Sequence, residues 1–345
     1  MSCLHCQDQP IRAVETTTGG IDIIIPFPSI LSQAEVSLEA LMTDLQVLFV
    51  AGTHGNELNG SWLVDQWLMD PGLLQTNGLN VLPVIGNPQA RQAQKRYLDV
   101  DLNRSFIPEL LAKTSPKELE VRRAQELISQ YGPNGASPCQ IVIDLHSTTS
   151  AMGSSLVVYG RRPTDLALAA LIQARLGLPV YLYEADQTQQ GFLVEQWPCG
   201  LVVEIGPVPQ MLIDARIVSQ TRVAVQTCCE IISMVQQGTV SNPAQLVVHC
   251  HKCSLDLPRD VIGQPKAYVH PERQGMDWYP VHHGDPLFLM RDGAEVCFEG
   301  QETVVPVFIN EAAYTEKNIA MSLTKKDVWP FAPEWKDALQ RLINP

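Results

Sequence analysis

The stretch Gly52-Thr53-His54-Gly55-Asn56-Glu57 decides the fold, because it is a polar, glycine-bearing turn set between two apolar segments. Before it, Gln46-Val47-Leu48-Phe49-Val50 has the composition of a short strand. After it, Leu58 to Met69 places Leu58, Trp62, Leu63 and Trp67 at spacings that suit one face of a helix. The stretch therefore predicts a strand-to-helix turn that carries His54 and Glu57. Gly52 and Gly55 let such a turn bend tightly and approach a ligand closely. An imidazole and a carboxylate three residues apart can converge there on one metal ion. The plainer alternative is a glycine-rich turn whose polar side chains face water, and His-x-x-Glu alone does not choose between the two.

Working outward, Leu79 to Ile85 has strand composition, and Pro83 argues for an edge position. Asn87 to Phe106 is a polar loop dense in charge, with Arg91, Lys95, Arg96, Asp99, Asp101 and Arg104, and Asn103 among them. Pro116 to Tyr131 predicts a helix stopped by Gly132-Pro133. Gln140 to Leu145 is a nearly continuous apolar run, as expected of a strand buried on both faces, and it ends in His146. Ser155 to Tyr159, Pro179 to Tyr183 and Leu201 to Ile205 are further strands. Asp165 to Leu176 predicts a helix with Thr164 as its cap and Gly177 as its end; Leu212 to Gln237 predicts a long one. Strands alternating with helices over roughly two hundred residues mean an α/β fold, its mostly parallel or mixed sheet flanked by helices. From about Ser241 the pattern turns to short strands and breaks, giving a smaller β-rich domain of roughly 100 residues. The expected division is an N-terminal extension over 1–45, an α/β domain over 46–240, and a β-rich domain over 241–345.

Composition narrows the function. The 345 residues carry a formal net charge of −13, with 45% hydrophobic and 18% charged residues. That balance is ordinary for a globular protein and argues against phosphate backbones and anionic membrane surfaces as partners. No run of about 18 apolar residues exists to span a membrane, and Met1 to Glu15 has no apolar secretory core, so the expected location is cytoplasmic. Nine cysteines then read as free thiols, although Cys3/Cys6 and Cys250/Cys253 form two C-x-x-C pairs that could hold a structural zinc.

The chemistry lies in a few polar residues at strand ends. His54 and Glu57 follow one strand, His146 ends a second, and Glu204 sits near the end of a third, Leu201-Val202-Val203-Glu204-Ile205. Open parallel sheets bind ligands at those ends. A carboxylate inside so apolar a strand is costly to bury without a partner or a function. Two His and one Glu can hold zinc with a fourth position left for water, while a second Glu serves as base. Taken singly, His146 could be a satisfied core histidine and Glu204 half of a buried ion pair; together the four favour a metal site.

Five motifs extend this reading: G-T-H-G-N-E at Gly52, Y-L-D-V-D-L-N-R at Tyr97, D-L-H-S-T-T-S-A-M-G at Asp144, V-E-I-G-P-V-P-Q at Val203 and N-E-A-A-Y at Asn310. With H-H-G-D-P at His282, they closely resemble the aspartoacylase family of zinc-carboxypeptidase-like hydrolases, from about Gln46 to Lys317. The resemblance implies one zinc per chain, bound by His54, Glu57 and His146, with Glu204 as general base and acid. It implies that Arg96 stabilises the oxyanion, a contribution of roughly 3–4 kcal/mol in comparable sites. Asn103 and Arg104 would hold a substrate carboxylate, Asp101 would orient His54, and Tyr314 would reach the pocket from the smaller domain, with Glu311 structural.

The implied activity is deacylation of N-acyl amino acids to a carboxylate and a free amino acid, with the small-molecule substrate as partner and a homo-oligomer left open. A desuccinylase and a carboxypeptidase share the fold, although the domain carrying Tyr314 should restrict entry to small substrates. A catalytically silent metal-binding protein is the non-enzyme alternative, and Glu204 and Arg96 speak against it. One departure bears on substrate. Aspartoacylases of the family place an arginine shortly before the catalytic-glutamate strand, against the second carboxylate of N-acetylaspartate. Here Glu184 to Val203 has no Arg or Lys and holds Glu184, Asp186 and Glu195, with Gln187, Gln189, Gln190 and Phe192 around them. Unless Arg161 or Arg162 folds in, neutral or aromatic side chains should be preferred over N-acetylaspartate.

Overall fold

Alternation along β1 (Gln46–Ala51) sorts its side chains onto two faces of a sheet. Val47, Phe49 and Ala51 join one core cluster, Leu48 and Val50 another. The computed structural model describes residues 45–184 and 190–345. Expectations for the extension, including Cys3/Cys6, and for Asp186, Gln187 and Gln189 lie outside those residues. The described residues belong to one compact unit.

After β1 come α1 (Leu58–Met69), β2 (Asn80–Ile85), α2 (Pro88–Gln92), α3 (Pro108–Leu111), α4 (Leu119–Tyr131), β3 (Ile141–Ser147) and β4 (Ser154–Tyr159). Next are α5 (Pro163–Leu176), β5 (Val180–Tyr183), β6 (Cys199–Ile205) and α6 (Ala215–Gln236). The C-terminal part adds β7 (Gln245–Leu255), β8 (Ala267–Val269), β9 (Pro286–Met290), β10 (Glu295–Cys297), β11 (Val305–Val307), β12 (Met321–Pro330) and α7 (Pro333–Ile343). Nine strands form one mixed sheet, ordered β11-β12-β7-β5-β4-β6-β3-β1-β2, and β10-β9-β8 form a small antiparallel one. This is an α/β fold with a large central sheet, flanking helices and a β-rich C-terminal part.

Local chemistry explains most of these elements. Pro83 lies in β2, which pairs with β1 and ends the sheet order, as its missing N–H requires. Asp214 caps α6 by accepting from the Arg216 and Ile217 amides. Gly177 ends α5 at φ 70°, but Thr164 does not begin it: the helix starts at Pro163, whose fixed φ suits the first turn. The Thr164 hydroxyl instead donates to the Pro198 carbonyl at 2.8 Å.

The division at 240/241 is crossed by hydrogen bonding: β7 runs parallel to β5, β12 pairs with β7, and β11 with β12. The C-terminal strands thus extend the central sheet as well as building their own. β4 lies antiparallel to β6 and parallel to β5, so the sheet reverses direction between β6 and β4. Cys250 is buried and Cys253 exposed on β7, and both thiols are free.

Face assignment positions the site. Leu63 and Trp67 of α1, together with apolar residues of α5, α6 and α7, cover the face that takes Ile141, Ile143, Leu145, Leu201, Val203 and Ile205. Val142 and Val202 belong to the other cluster. With a period of two, Asp144 and His146 then share a face with Val142, and Glu204 shares it with Val202. The catalytic candidates are therefore on the face opposite α1, α5, α6 and α7, the face on which α4 packs through Ala124 and Leu127.

Candidate active site

His54, Glu57 and His146 come together although 92 residues separate the first from the last. Parallel pairing sets β1 beside β3, and β3 beside β6 with His146 opposite Glu204. The turn after β1 is held by two glycines. Gly52 has φ 67°, and a Cβ there would lie 2.4 Å from Ser61 Oγ. A Cβ on Gly55 would lie 2.3 Å from backbone atoms of Ala90 and Arg91. That close approach lets the Gly55 amide donate to the Arg96 carbonyl at 3.0 Å, which docks the charged loop on the turn.

One ligand atom each from His54, Glu57 and His146 lies within 4.8 Å of the others, and all three residues are buried. Glu57 Oε1 is 2.7 Å from His54 Nδ1, and Oε2 is 3.0 Å from His146 Nδ1. Both imidazoles thus turn Nδ1 inward. Their outward nitrogens meet carboxylates: His54 Nε2 is 3.1 Å from Asp101, and His146 Nε2 is 2.7 Å from Asp144. Asp144 is fixed in turn by the Thr53 hydroxyl at 2.8 Å. A ligating histidine needs this second carboxylate to set its tautomer and orientation, so the donor set suits zinc.

Electrostatics separate the two glutamates. Burial alone would push the Glu57 carboxyl up, yet His54 and His146 outweigh it and hold Glu57 well below the usual range. Glu204, also buried, is pushed well above that range by burial; His146 opposes the rise, and Glu57 and Glu311 add to it. One carboxylate is kept charged and the other is poised to carry a proton. Arg96 donates to Glu57 at 3.2 Å and reaches Asp101 at 3.5 Å. Despite burial, Asp101 and Glu57 keep its guanidinium charged.

The pocket beside this cluster is lined by Arg96, Asn103, Arg104, Glu204 and Tyr314 together with the His54, Glu57, His146 trio. Asp101 stands behind His54 and Arg96. Asn103 Oδ1 accepts from the Leu193 amide at 2.8 Å, so its amide NH2 is the group left to meet a ligand. Arg104 stacks 4.1 Å from the Phe192 ring centre. Phe192 itself lies against Tyr159 at 3.8 Å, and Tyr181 and Tyr183 complete an aromatic wall. Tyr314 packs on Phe308 at 5.3 Å. Glu311 is engaged structurally: one oxygen accepts from the Thr148 and Thr149 hydroxyls and the Thr149 and Ser150 amides, the other from the Ala313 amide.

Sequence reasoning named Arg161 and Arg162 as substitutes for a missing arginine, and the structure turns both elsewhere. Arg161 pairs with Glu184 at 2.7 Å and lies 4.7 Å from the Trp329 ring centre. Arg162 binds Asp165 and the carbonyls of Val194, Glu195 and Trp197. Glu195 is also spent locally, accepting from the Phe192 amide. Asp144 and the aromatic wall were missed. Asp144 carried a readable signal, since Asp-x-His on a strand puts both side chains on one face; the wall's strand tyrosines, Tyr159 on β4 and Tyr181 and Tyr183 on β5, read as ordinary strand residues.

Comparison with known proteins decides the family. The succinylglutamate desuccinylase/aspartoacylase catalytic domain matches residues 43–232, and the AstE/AspA barrel-sandwich hybrid domain matches 244–326. A "Probable aspartoacylase" of Prochlorococcus marinus (strain MIT 9313) is 62% identical over 303 residues, which are 88% of this chain and 100% of that protein. The chain belongs to the succinylglutamate desuccinylase/aspartoacylase family. Membership makes it an amidohydrolase. Among solved structures, murine aminoacylase 3 is 35% identical with a TM-score of 0.77, covering 83% of this chain and 97% of that one. Succinylglutamate desuccinylase from Vibrio parahaemolyticus shares the fold at 15% identity, with a TM-score of 0.55 over 82% of each chain. Among the described residues of this family member, no helix is long and apolar enough to cross a membrane.

Proposed function

We propose that this chain is a zinc-dependent amidohydrolase that deacylates N-acyl-L-amino acids to a carboxylate and a free amino acid. One zinc per chain would be held by His54, Glu57 and His146, with N-acyl amino acids as partners and the cytoplasm as its location. The observation that carries the reading is the convergence of these three residues beside Glu204 and Arg96 in one pocket.

Bound zinc supplies Lewis acidity, acidifying water and polarising an amide carbonyl. Glu204 takes a proton from the attacking water and returns it to the leaving nitrogen, a role that suits its raised proton affinity. Arg96 faces the oxygen on which charge develops and is charged in advance by its two carboxylates. Asn103 and Arg104 hold the α-carboxylate, and Tyr314 closes over it. Asp101 and Asp144 fix the two imidazoles.

The same reading extends to the side chain of the substrate. The wall of Tyr159, Tyr181, Tyr183 and Phe192 offers aromatic surface, and neither Arg161 nor Arg162 lines the pocket. Neutral or aromatic side chains are therefore preferred over aspartate. Relatives carry both kinds of name, aspartoacylase and aminoacylase 3, so the names do not decide it. The test is kcat/KM for N-acetylaspartate beside the N-acetyl derivatives of Leu, Met, Phe and Tyr. Hydrolysis led by the neutral and aromatic substrates supports the reading. An N-acetylaspartate value about tenfold above all the others overturns the preference, a gap of roughly 1.4 kcal/mol. No hydrolysis of any of the five overturns the activity itself.

A further inference from the structure

The charged loop that carries Arg96 and Asp101 has an anchor that the proposed chemistry does not use. Between those two residues, three consecutive amides, of Leu98, Asp99 and Val100, donate to the Glu120 carboxylate at 2.7, 3.0 and 3.2 Å. The Asn87 side-chain amide adds a fourth bond at 3.2 Å. Glu120 lies in the first turn of α4 and is buried. The tie is reciprocal, since Asp99 Oδ2 accepts from the Leu119 amide at 2.8 Å at the start of the same helix. Burial pushes the Glu120 carboxyl up, and the Leu98 and Asp99 amides bring it below the usual range. The loop is thus tied on two sides, by Gly55 to the turn after β1 and by Glu120 to α4.

Arg96 depends on that tie more than Asp101 does. Asp101 Oδ1 accepts from the Asn103 amide at 2.9 Å, and its carbonyl accepts from the Ser105 hydroxyl at 2.9 Å and the Arg104 amide at 3.0 Å. The Arg96 guanidinium makes longer bonds, 3.2 Å to Glu57 and 3.5 Å to Asp101. Its buried Nε has no hydrogen-bond partner among the described residues. Bonds of that length hold a long side chain weakly, so the backbone beneath it sets where the guanidinium sits.

We infer that Glu120 is a positioning residue, which holds the Leu98 to Val100 backbone so that the Arg96 guanidinium stays where the oxyanion forms. The inference rests on the proposed deacylase reading. Glu120 does not line the pocket, nor does any other residue of α4, so the helix acts on the chemistry through Arg96. Misplacing a catalytic group by about 1 Å can cost up to about 100-fold in rate. Because Arg96 meets a charge that develops in the transition state, its misplacement shows in kcat and leaves KM alone.

The experiment introduces Glu120→Gln into wild type and into Arg96→Ala, all loaded with zinc, on N-acetyl-Leu and N-acetyl-Phe, with melting temperature alongside. The new side-chain amide turns a donor toward backbone donors, so half of the grip is lost. In E120Q, kcat is expected to fall about tenfold with KM within about threefold of wild type. In the Arg96→Ala background the same change should cost less than about threefold, because the group it positions is gone. Leu168→Ala, a cavity in the helix-covered core, is the control for lost stability: melting temperature should fall and kcat stay within about twofold. A kcat in E120Q within about threefold of wild type overturns the assignment, as does a raised KM with kcat kept. An equal kcat loss in both backgrounds also overturns it, since Glu120 would then be structural alone, and so does a comparable kcat loss in Leu168→Ala. If E120Q does not fold, Glu120→Asp, which keeps the charge but draws it back by a methylene, is judged by the same outcomes. If wild type hydrolyses neither substrate, the deacylase reading fails instead, and the two failures are distinguishable.

Discussion

The floor of the pocket and its wall are built on opposite principles. On the floor, each imidazole is clamped between Glu57 and a second carboxylate, Asp101 for His54 and Asp144 for His146. His146 and Asp144 come from β3 and His54 and Glu57 from the glycine turn after β1, placed by sheet register, while Asp101 comes from the charged loop docked on that turn. The wall is assembled from Tyr159, Tyr181, Tyr183 and Phe192, with Phe308 and Tyr314 from the C-terminal part, and its rings pack on one another. The difference teaches where rigidity is needed. Metal ligands must be preorganised to fractions of an ångström, whereas a side-chain pocket works by shape and tolerates substitution.

Substitutions can break this contrast. The largest effect is expected at Glu204, which lies on β6 opposite His146 and outside the group of His54, Glu57 and His146. Glu204→Gln should keep zinc and melting temperature while kcat falls at least about 100-fold. Loss of zinc in that variant would make Glu204 a ligand and redraw the floor. Next is Asp144, which stands behind His146 at 2.7 Å and does not line the pocket. Asp144→Asn keeps the size but blunts the hold on His146, and zinc affinity should fall about 10- to 100-fold, read by competition with a chelator. An unchanged zinc affinity would mean that the clamp on His146 is dispensable. Smaller still is Arg104→Lys in the wall. It keeps charge but loses the planar fork and the stack on Phe192, so KM should rise about tenfold with zinc content unchanged. A wild-type KM would remove Arg104 from the carboxylate grip.

The same contrast explains what was legible in the sequence. The Gly52–Glu57 turn, the apolar run before His146 and the costly Glu in Val203-Glu204-Ile205 all advertise themselves, because a polar group at the end of a buried strand has few explanations. Pro83 declared β2 an edge for the same local reason. By contrast, β7 begins as Gln245-Leu246-Val247-Val248 and continues as His249-Cys250-His251-Lys252, so it never shows a clean alternation. It was not read as a strand, nor was β12, and only their mutual pairing makes them part of the central sheet. Strand direction is equally unwritten in composition, which is why the reversal at β4 emerges only in three dimensions.

The central claim is that this floor holds a zinc ion on which hydrolysis depends. Elemental analysis of the purified wild type and of His146→Ala, each assayed on N-acetyl-Leu and N-acetyl-Phe before and after chelation, tests it most directly. The expected result is one zinc per wild-type chain, with activity lost on chelation and restored by added zinc, and little metal or activity in His146→Ala. Full activity in chelated wild type, or an unchanged zinc content in His146→Ala, would contradict it.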